Sequence, residues 1–151
     1  MSAADTVSSG EGDVTGLSAA DTAPAGEGNG FPAKLVRSFG FAFEGLAILV
    51  RTQPNFRIHV VAACAALVLG IILRLPPPEM ALIVLTAGVV LVVEALNTCL
   101  ETLCDLVSPT YHPLVKKCKD VSAAAVLLSA LAAVGVAALL FLPRVLSAIG
   151  N

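Results

Sequence analysis

Charged side chains are scarce in this sequence. Asp, Glu, Lys and Arg make up 13% of its 151 residues, whereas they account for about a quarter of a typical soluble domain. Hydrophobic residues make up 57% of the chain. The scarcity of charge excludes an ordinary soluble domain, and the composition is typical of a protein embedded in a membrane.

Long runs without charge indicate where the chain crosses the bilayer. A hydrocarbon core of about 30 Å requires roughly 20 apolar residues in a helix. Three segments are long enough, and the last of them has no charged residue from 121 to 142. We predict transmembrane helices over residues 56–75, 79–107 and 119–142. Between the first two lies RLPPPE, residues 74–79, whose prolines predict a tight turn outside the membrane.

The beginning of the chain differs from the rest. Residues 1–30 contain five acids and no Lys or Arg, and SAADT at 2–6 recurs sixteen residues later at 18–22. Because this composition cannot bury a core, we predict a disordered, low-complexity tail. The tail lacks the apolar run of a cleaved signal peptide, so the first span is expected to act as an uncleaved anchor. Its GEGNG stretch also lacks the GK[ST] of a phosphate loop.

The segment between the tail and the first span has the spacing of an amphipathic helix. Its large apolar residues recur on one helical face: Leu35, Phe39, Phe43, Leu46 and Val50. We predict a helix over residues 33–51 that lies on the inner membrane surface. The alternative is a plain flank of a signal anchor.

Basic residues predict the orientation of the chain. Seven of the nine Lys and Arg residues lie before the first span, at its start, or between the second and third spans. Only Arg74 and Arg144 lie at the opposite ends of the spans, after the first and the third span. Because Lys and Arg beside spans stay in the cytoplasm, the N-terminus and the loop at 108–119 are predicted to be cytoplasmic and the C-terminus external.

Polar side chains interrupt the second span at helical intervals. At about 100° per residue, Glu94, Asn97, Glu101 and Asp105 fall on one face of the helix. This face runs from just inside the hydrocarbon into cytoplasmic water. Snorkelling to the interface suffices for Asp105 alone, but an ionised Glu94 within the core costs on the order of 3 kcal/mol. The pattern therefore indicates a functional site.

The types of residue on this face suggest a phosphoryl transfer. A carboxylate partly removed from water is a good acceptor for the proton of an alcohol. A second carboxylate nearer to water can hold Mg²⁺, and Asn97 can orient the base or a phosphate oxygen. The following loop adds a Lys119–Asp120 pair where the third span begins, which can contact a polyphosphate and its metal. Lys116 and Lys117 are interpreted as topology signals.

The four cysteines form no metal-binding motif. Cys64, Cys99, Cys104 and Cys118 include no CxxC pair and have no paired histidines nearby. We expect reduced structural thiols.

Taken together, these motifs resemble a known family. The pattern E-A-L-N-x-x-x-E-x-x-x-D at 94–105, followed by Y-H at 111–112 and K-D at 119–120, is similar to the signature of the prokaryotic integral-membrane diacylglycerol kinases. NFRIH at 55–59 fits as well, and the resemblance covers residues 31–142. That family is unrelated to soluble kinases, and no P-loop, HRD or DFG pattern occurs here.

The resemblance implies a multi-pass kinase of the bacterial cytoplasmic membrane. The expected architecture is a homotrimer, with three spans and one surface helix per subunit, that transfers the γ-phosphoryl group of Mg·ATP to a lipid alcohol. No nucleic acid partner is expected. The implied roles are catalysis for Glu94 and Asn97, metal binding for Glu101 and Gln53, ATP binding for Lys34, Asp105, Tyr111, His112, Lys119 and Asp120, and lipid binding for Asn55, Phe56 and Arg57.

Two positions depart from the family pattern. Gln53 stands where the family has a metal-binding glutamate. Thr110 stands at a nucleotide-contact position where the family often has a glutamate. A neutral Gln53 oxygen should bind the metal more weakly than a carboxylate. NFRIH and the loop motif SPxYHPLxKxxKDV at 108–121 look more like the undecaprenol kinase branch of the family than the diacylglycerol kinase branch. A proton-relay bundle and a non-catalytic scaffold remain alternatives from other functional classes.

Overall fold

The computed structural model describes residues 30–150, and all regular secondary structure in that range is α-helical. Its helices are α1 (Phe31–Thr52), α2 (Pro54–Ile72), α3 (Pro77–Val107) and α4 (Pro113–Ile149). Three of them, α2, α3 and α4, are long and apolar enough to cross a membrane. The prediction of an all-helical membrane protein with one additional helix and three spans is therefore confirmed. The predicted disordered tail, except Gly30, lies outside the described residues.

The chain divides into two units between residues 39 and 40, and this boundary falls within α1. Helix α1 covers the predicted amphipathic segment at 33–51 and extends it slightly at both ends. None of its residues is buried.

Prolines mark where the spanning helices begin. Pro54, Pro77 and Pro113 each occupy the first turn of a helix. A proline is favourable there because its fixed φ suits the helix and its missing N–H would have no partner inside the helix. Helix α3 therefore begins within the predicted turn at 74–79. Helix α2 ends at Ile72, and Arg74, whose φ is 51°, is the first residue of that turn.

Helix α4 is longer than the predicted span at 119–142. The helix begins six residues earlier because His112 caps it. The Nδ1 atom of His112 accepts a hydrogen bond from the Leu114 N–H at 3.2 Å. The helix also continues past Pro143, although a proline inside a helix is generally unfavourable. Arg144 Nη1 donates to the Leu140 carbonyl at 2.8 Å, one turn before it, and so supplies a side-chain donor beside the proline.

Helix α3 packs against both α2 and α4. At one end of α3, Gly70 of α2 approaches Met80 so closely that a Cβ at Gly70 would lie 2.8 Å from Met80 Cε. An Arg144–Glu79 ion pair joins α4 to the same end of α3 at 2.7 Å, and a Lys119–Asp105 pair joins the two helices at the other end at 2.5 Å.

These contacts define the register of the bundle. Phe56 and Glu94 are each fourteen residues from the Gly70–Met80 contact, so they lie at about the same level, roughly 21 Å from it along the helices. By the same argument from the Lys119–Asp105 pair, Ala130 of α4 also lies near the level of Glu94. Glu94 is therefore enclosed by α2 on one side and α4 on the other.

Candidate active site

The side chain of Glu94 is buried in the middle of the bundle. It is 2% exposed, and it is the largest fully buried side chain among the described residues. Asn97, one turn further along α3, is 7% exposed. Both occupy the stripe of α3 that also buries Ile83 and Val90. Two polar side chains thus take positions that core apolar residues occupy elsewhere on the same stripe.

Both of these buried groups keep an acceptor atom without a partner. Within residues 30–150, Glu94 Oε2 and Asn97 Oδ1 have no hydrogen-bond donor. A buried acceptor without a donor costs about 1–3 kcal/mol, and more when it is charged. The site therefore favours a molecule that brings an O–H or N–H group to these oxygens.

Polarity increases along α3 from Glu94 toward its C-terminal end. Asn97 Nδ2 donates to Glu101 Oε1 at 3.2 Å, and Glu101 is half-buried. Asp105, one turn further, has a side chain that is 66% exposed. Helical periodicity thus brings the four predicted residues of α3 together on one face. The face passes from a buried carboxyl group at Glu94 to an exposed one at Asp105.

Helix α4 contributes a cation to the exposed end of this face. Lys119 Nζ contacts Asp105 Oδ1 at 2.5 Å. Asp120 is paired with Lys116 one turn earlier on its own helix. Lys119 and Asp120 are predicted to contact a polyphosphate and its metal together, and in the structure each forms an ion pair with another residue. Lys116, interpreted from the sequence as a topology signal, is also the ion-pair partner of Asp120.

The loop before α4 presents Tyr111 and His112. Tyr111 is 80% exposed, which leaves it available to a ligand. His112 is exposed too, but its Nδ1 already accepts the hydrogen bond that caps α4. Only the Nε2 side of the His112 ring remains available for a nucleotide.

The start of α2 faces the polar end of α3. Gln53 precedes α2, is half-buried and makes no capping hydrogen bond with its side chain. The register places it near the level of Asn97. Phe56 is 3% exposed within the interface, whereas Asn55 and Arg57, the other two predicted lipid-binding residues, are exposed.

Lys34 lies in the other unit of the chain. It is exposed on α1, where its carbonyl accepts a hydrogen bond from Ser38 Oγ at 3.0 Å.

His59 is a candidate that the sequence interpretation did not single out. It lines a cavity of about 300 Å³ between α2, α3 and α4, and the register places it within one helical turn of the level of Glu94. Two sequence signals could have found it: its place as the last residue of the NFRIH motif at 55–59, and the heptad-like spacing of Phe56, His59, Ala63, Ala66 and Gly70 along α2. The cavity is lined mainly by small apolar residues, among them Ala87 and Ala133.

The side chains present suit a metal that arrives with its substrate. Within residues 30–150 there is no group of three or more His, Cys, Asp or Glu side chains that could hold a metal ion. Mg²⁺, however, is commonly held by one or two carboxylates together with substrate phosphates and water. Glu101, whose Oε1 accepts a hydrogen bond from Asn97 Nδ2, would supply a carboxylate of this kind, and Gln53 would add a neutral oxygen.

Comparison with known proteins gives consistent matches. The sequence profile of the family described as "Prokaryotic diacylglycerol kinase" matches residues 40–141. A diacylglycerol kinase of Synechocystis sp. is 43% identical over 114 residues, which are 75% of this chain and 65% of that protein. An undecaprenol kinase of Bacillus subtilis is 37% identical over 111 residues, 74% of this chain and 90% of that protein. A diacylglycerol kinase of Escherichia coli K12 is 29% identical over 101 residues, 67% of this chain and 83% of that protein.

Proposed function

Because the chain belongs to the prokaryotic diacylglycerol kinase family, we propose that it is a membrane lipid kinase that transfers the γ-phosphoryl group of ATP to a lipid hydroxyl. The observation that carries this proposal is the buried carboxylate of Glu94, whose Oε2 has no donor among the described residues. A lipid alcohol supplies such a donor and reaches the site from the membrane.

Glu94 acts as the general base in this proposal. The lipid O–H donates to the free carboxylate oxygen, and Glu94 takes the proton as the lipid oxygen bonds to the γ-phosphorus. The bond between that phosphorus and the bridging oxygen breaks, and ADP leaves. Burial suits this step, because a carboxylate shielded from water binds a proton more readily than an exposed one.

Asn97 and Glu101 connect the base to the nucleotide side. The Asn97–Glu101 hydrogen bond orients the carboxylate that we propose as a metal ligand, with Gln53 as the second. Bound with ATP, Mg²⁺ would neutralise negative charge on the phosphates. Asn97 Oδ1 remains free to accept a hydrogen bond, so it can also orient the lipid hydroxyl.

The exposed end of the face is the proposed ATP site. The ion pair with Asp105 holds the Lys119 ammonium at this end of the face, where the phosphates of ATP would bind. A lysine ammonium is a strong phosphate ligand. Tyr111 and the free edge of His112 lie on the adjacent loop. Asp120 and, from α1, Lys34 complete the set on the basis of the family resemblance.

We propose a polyprenol such as undecaprenol as the substrate. NFRIH at 55–59 and the loop motif around Tyr111 support this choice. Relatives named as kinases of each lipid match the chain, so diacylglycerol is the alternative. Asn55, Phe56 and Arg57 are the proposed lipid-binding residues, with Phe56 acting from within the α2–α3 interface.

The proposed assembly is a homotrimer in the bacterial cytoplasmic membrane, with the N-terminus cytoplasmic and the C-terminus external. Exposed apolar side chains support an oligomer in which subunits cover part of each other. Within the described residues, the buried hydrophobic core of a single subunit consists of four residues, Phe56, Leu75, Ile83 and Val90.

The test is lipid-dependent phosphoryl transfer by the purified protein. Reconstituted protein is incubated with Mg²⁺ and γ-labelled ATP, separately with undecaprenol, diacylglycerol and ceramide. We expect labelled lipid, most with undecaprenol. A label on diacylglycerol alone would refute the polyprenol assignment. No transfer to any lipid would refute the kinase and favour a scaffold, and proton flux across vesicles without ATP use would favour a relay.

A further inference from the structure

The buried stripe of α3 continues from Glu94 into the cavity between the three spanning helices. Val90 lies one helical turn from Glu94 on this stripe and lines the cavity, which reaches along α3 to Ile83. The cavity therefore begins beside the buried carboxylate. It runs about 10 Å along α3 in the direction away from Asn97 and the polar end of the face.

Small apolar side chains leave this space open. The walls that α2 and α4 contribute consist mainly of alanines: Ala62, Ala63 and Ala66 on α2, and Ala130, Ala133 and Ala137 on α4. Ala62 and Val134 both line the cavity and are exposed, so the cavity opens sideways between α2 and α4. A chain in the surrounding bilayer can enter through this opening.

The lining has very little capacity to donate hydrogen bonds. Of the described residues that line the cavity, only His59 and Thr86 have polar side chains. The Thr86 hydroxyl already donates to the Leu82 carbonyl at 2.6 Å, and a neutral histidine ring has a single N–H. An occupant therefore finds at most one donor, at the end of the cavity near Glu94.

Hydrocarbon is the occupant that such a lining favours. An apolar cavity of about 150 Å³ stays free of water and binds benzene. At about 300 Å³, this cavity suits a chain of roughly ten carbons, or about two isoprene units. The Glu94 Oε2 atom, which has no donor among the described residues, marks where the hydroxyl end of such a chain would lie.

We propose that this cavity binds the chain of the lipid alcohol and selects alcohols that have no ester near the hydroxyl. The inference rests on the proposed function, in which the hydroxyl donates to Glu94. A polyprenol is hydrocarbon beyond its hydroxyl, so its chain passes directly from Glu94 into the cavity. A diacylglycerol has two ester carbonyls close to its hydroxyl, and the one N–H of His59 can satisfy only one of them. The other would be buried without a donor, which is unfavourable.

Occupation of the cavity can be measured without a kinase assay. Ala133 lines the cavity, whereas its neighbour Ala132 is exposed and does not, so Ala132→Phe is the matched control for Ala133→Phe. Each protein in nanodiscs is irradiated with farnesol that carries a diazirine, with and without excess unlabelled farnesol, and the labelled peptides are mapped. We expect label that farnesol competes away on residues 62–66 and 130–137 in the wild type and Ala132→Phe, and its loss in Ala133→Phe.

Two results would overturn the chain site. One is competable label that Ala133→Phe leaves unchanged. The other is a wild type without label at these residues, as expected if a neighbouring subunit fills the cavity. If Ala133→Phe does not assemble, Ala133→Leu also narrows the cavity and has the same expected result.

Selection is measured by phosphorylation of undecaprenol, oleyl alcohol, dioleoylglycerol and the dioleyl ether of glycerol, which lacks the carbonyls. For dioleoylglycerol we expect kcat/KM about tenfold or more below the values for undecaprenol and oleyl alcohol, with the ether in between. Ala133→Phe should lower kcat/KM for undecaprenol about tenfold or more, because its chain no longer fits, and leave the KM for ATP unchanged.

The two assays separate this proposal from the proposed function. Phosphorylation of dioleoylglycerol as readily as oleyl alcohol would support the kinase and refute the selection. Competable label in the cavity of a protein that phosphorylates none of the four alcohols would support the chain site and refute the kinase.

Discussion

Asn97 Nδ2 donates a hydrogen bond to Glu101 Oε1 at 3.2 Å, and it thereby connects the buried part of the α3 face to its half-exposed part. Asn97 is itself 7% exposed, and its Oδ1 has no donor among the described residues. One amide can therefore orient the proposed metal ligand with its nitrogen and the lipid hydroxyl with its oxygen.

Removal of this amide should impair both functions. Asn97→Ala leaves Glu101 without its donor, and hydrogen bonds to charged groups contribute about 1.5–3 kcal/mol. We expect kcat/KM for ATP to fall roughly 10- to 100-fold at equal expression. The control is Thr98→Ala, because the Thr98 hydroxyl bonds to the Glu94 backbone carbonyl. Equal loss in both variants would indicate a general effect on α3.

Restoring a carboxylate at residue 53 should strengthen metal binding. If Gln53 and Glu101 both face the metal, Gln53→Glu adds a full charge beside a divalent cation in a weakly screened site. The Mg²⁺ concentration for half-maximal lipid phosphorylation should fall, but only while Glu101 is intact. Mg²⁺ titrations of the wild type, Gln53→Glu, Glu101→Ala and the double variant measure this. An unchanged half-point in a normally expressed Gln53→Glu protein would show that residue 53 does not reach the metal.

The Arg144–Glu79 pair should stabilise the opposite end of the bundle. Both side chains are about two-thirds buried, at 33% and 29% exposed. Removing one partner of such a pair should cost about 1–3 kcal/mol, between the values for exposed and fully buried pairs. Arg144→Ala should therefore lower the thermal midpoint in detergent.

Lys116→Ala is the matched control, since it breaks an exposed pair with Asp120. Exposed pairs contribute about 0–1 kcal/mol, so this variant should unfold close to the wild-type temperature. If both variants unfold alike, burial of the Arg144–Glu79 pair contributes nothing to stability.

The distribution of basic residues predicts the topology. A reporter fused after Asn151 should be external, and one inserted near Pro109 should be cytoplasmic. Accessibility to a membrane-impermeant reagent in intact cells distinguishes the two locations. Finding both chain ends on the same side would rule out three spans.

Local sequence predicted the elements of this fold and the composition of the α3 face. Helical periodicity alone places Glu94, Asn97, Glu101 and Asp105 together, because the spacing of residues on a helix does not depend on its neighbours. Span lengths followed from hydrophobicity. The ends of α4 did not follow from hydrophobicity. The helix continues past Pro143, where the Arg144 side chain donates a hydrogen bond to the backbone, and hydrophobicity contains no information about such a bond.

Contacts between helices were beyond the sequence interpretation. Lys119 pairs with Asp105, fourteen residues away, and Gly70 of α2 closely approaches Met80 of α3. Such contacts depend on the register of α2 and α4 against α3. Close approach at Gly70 and ion pairs at the two ends of α4 define that register, and local periodicity contains no information about it.

The central claim is that buried Glu94 accepts the proton of a lipid hydroxyl. The most direct measurement is single-turnover transfer of labelled γ-phosphate to lipid by the wild type, Glu94→Gln and the exposed-acid control Glu44→Gln, with ATP binding measured in parallel. Glu94→Gln should bind ATP and assemble normally but lose transfer by on the order of 10²-fold or more, while Glu44→Gln stays active. A Glu94→Gln protein with wild-type transfer would contradict the claim and reduce Glu94 to a structural residue.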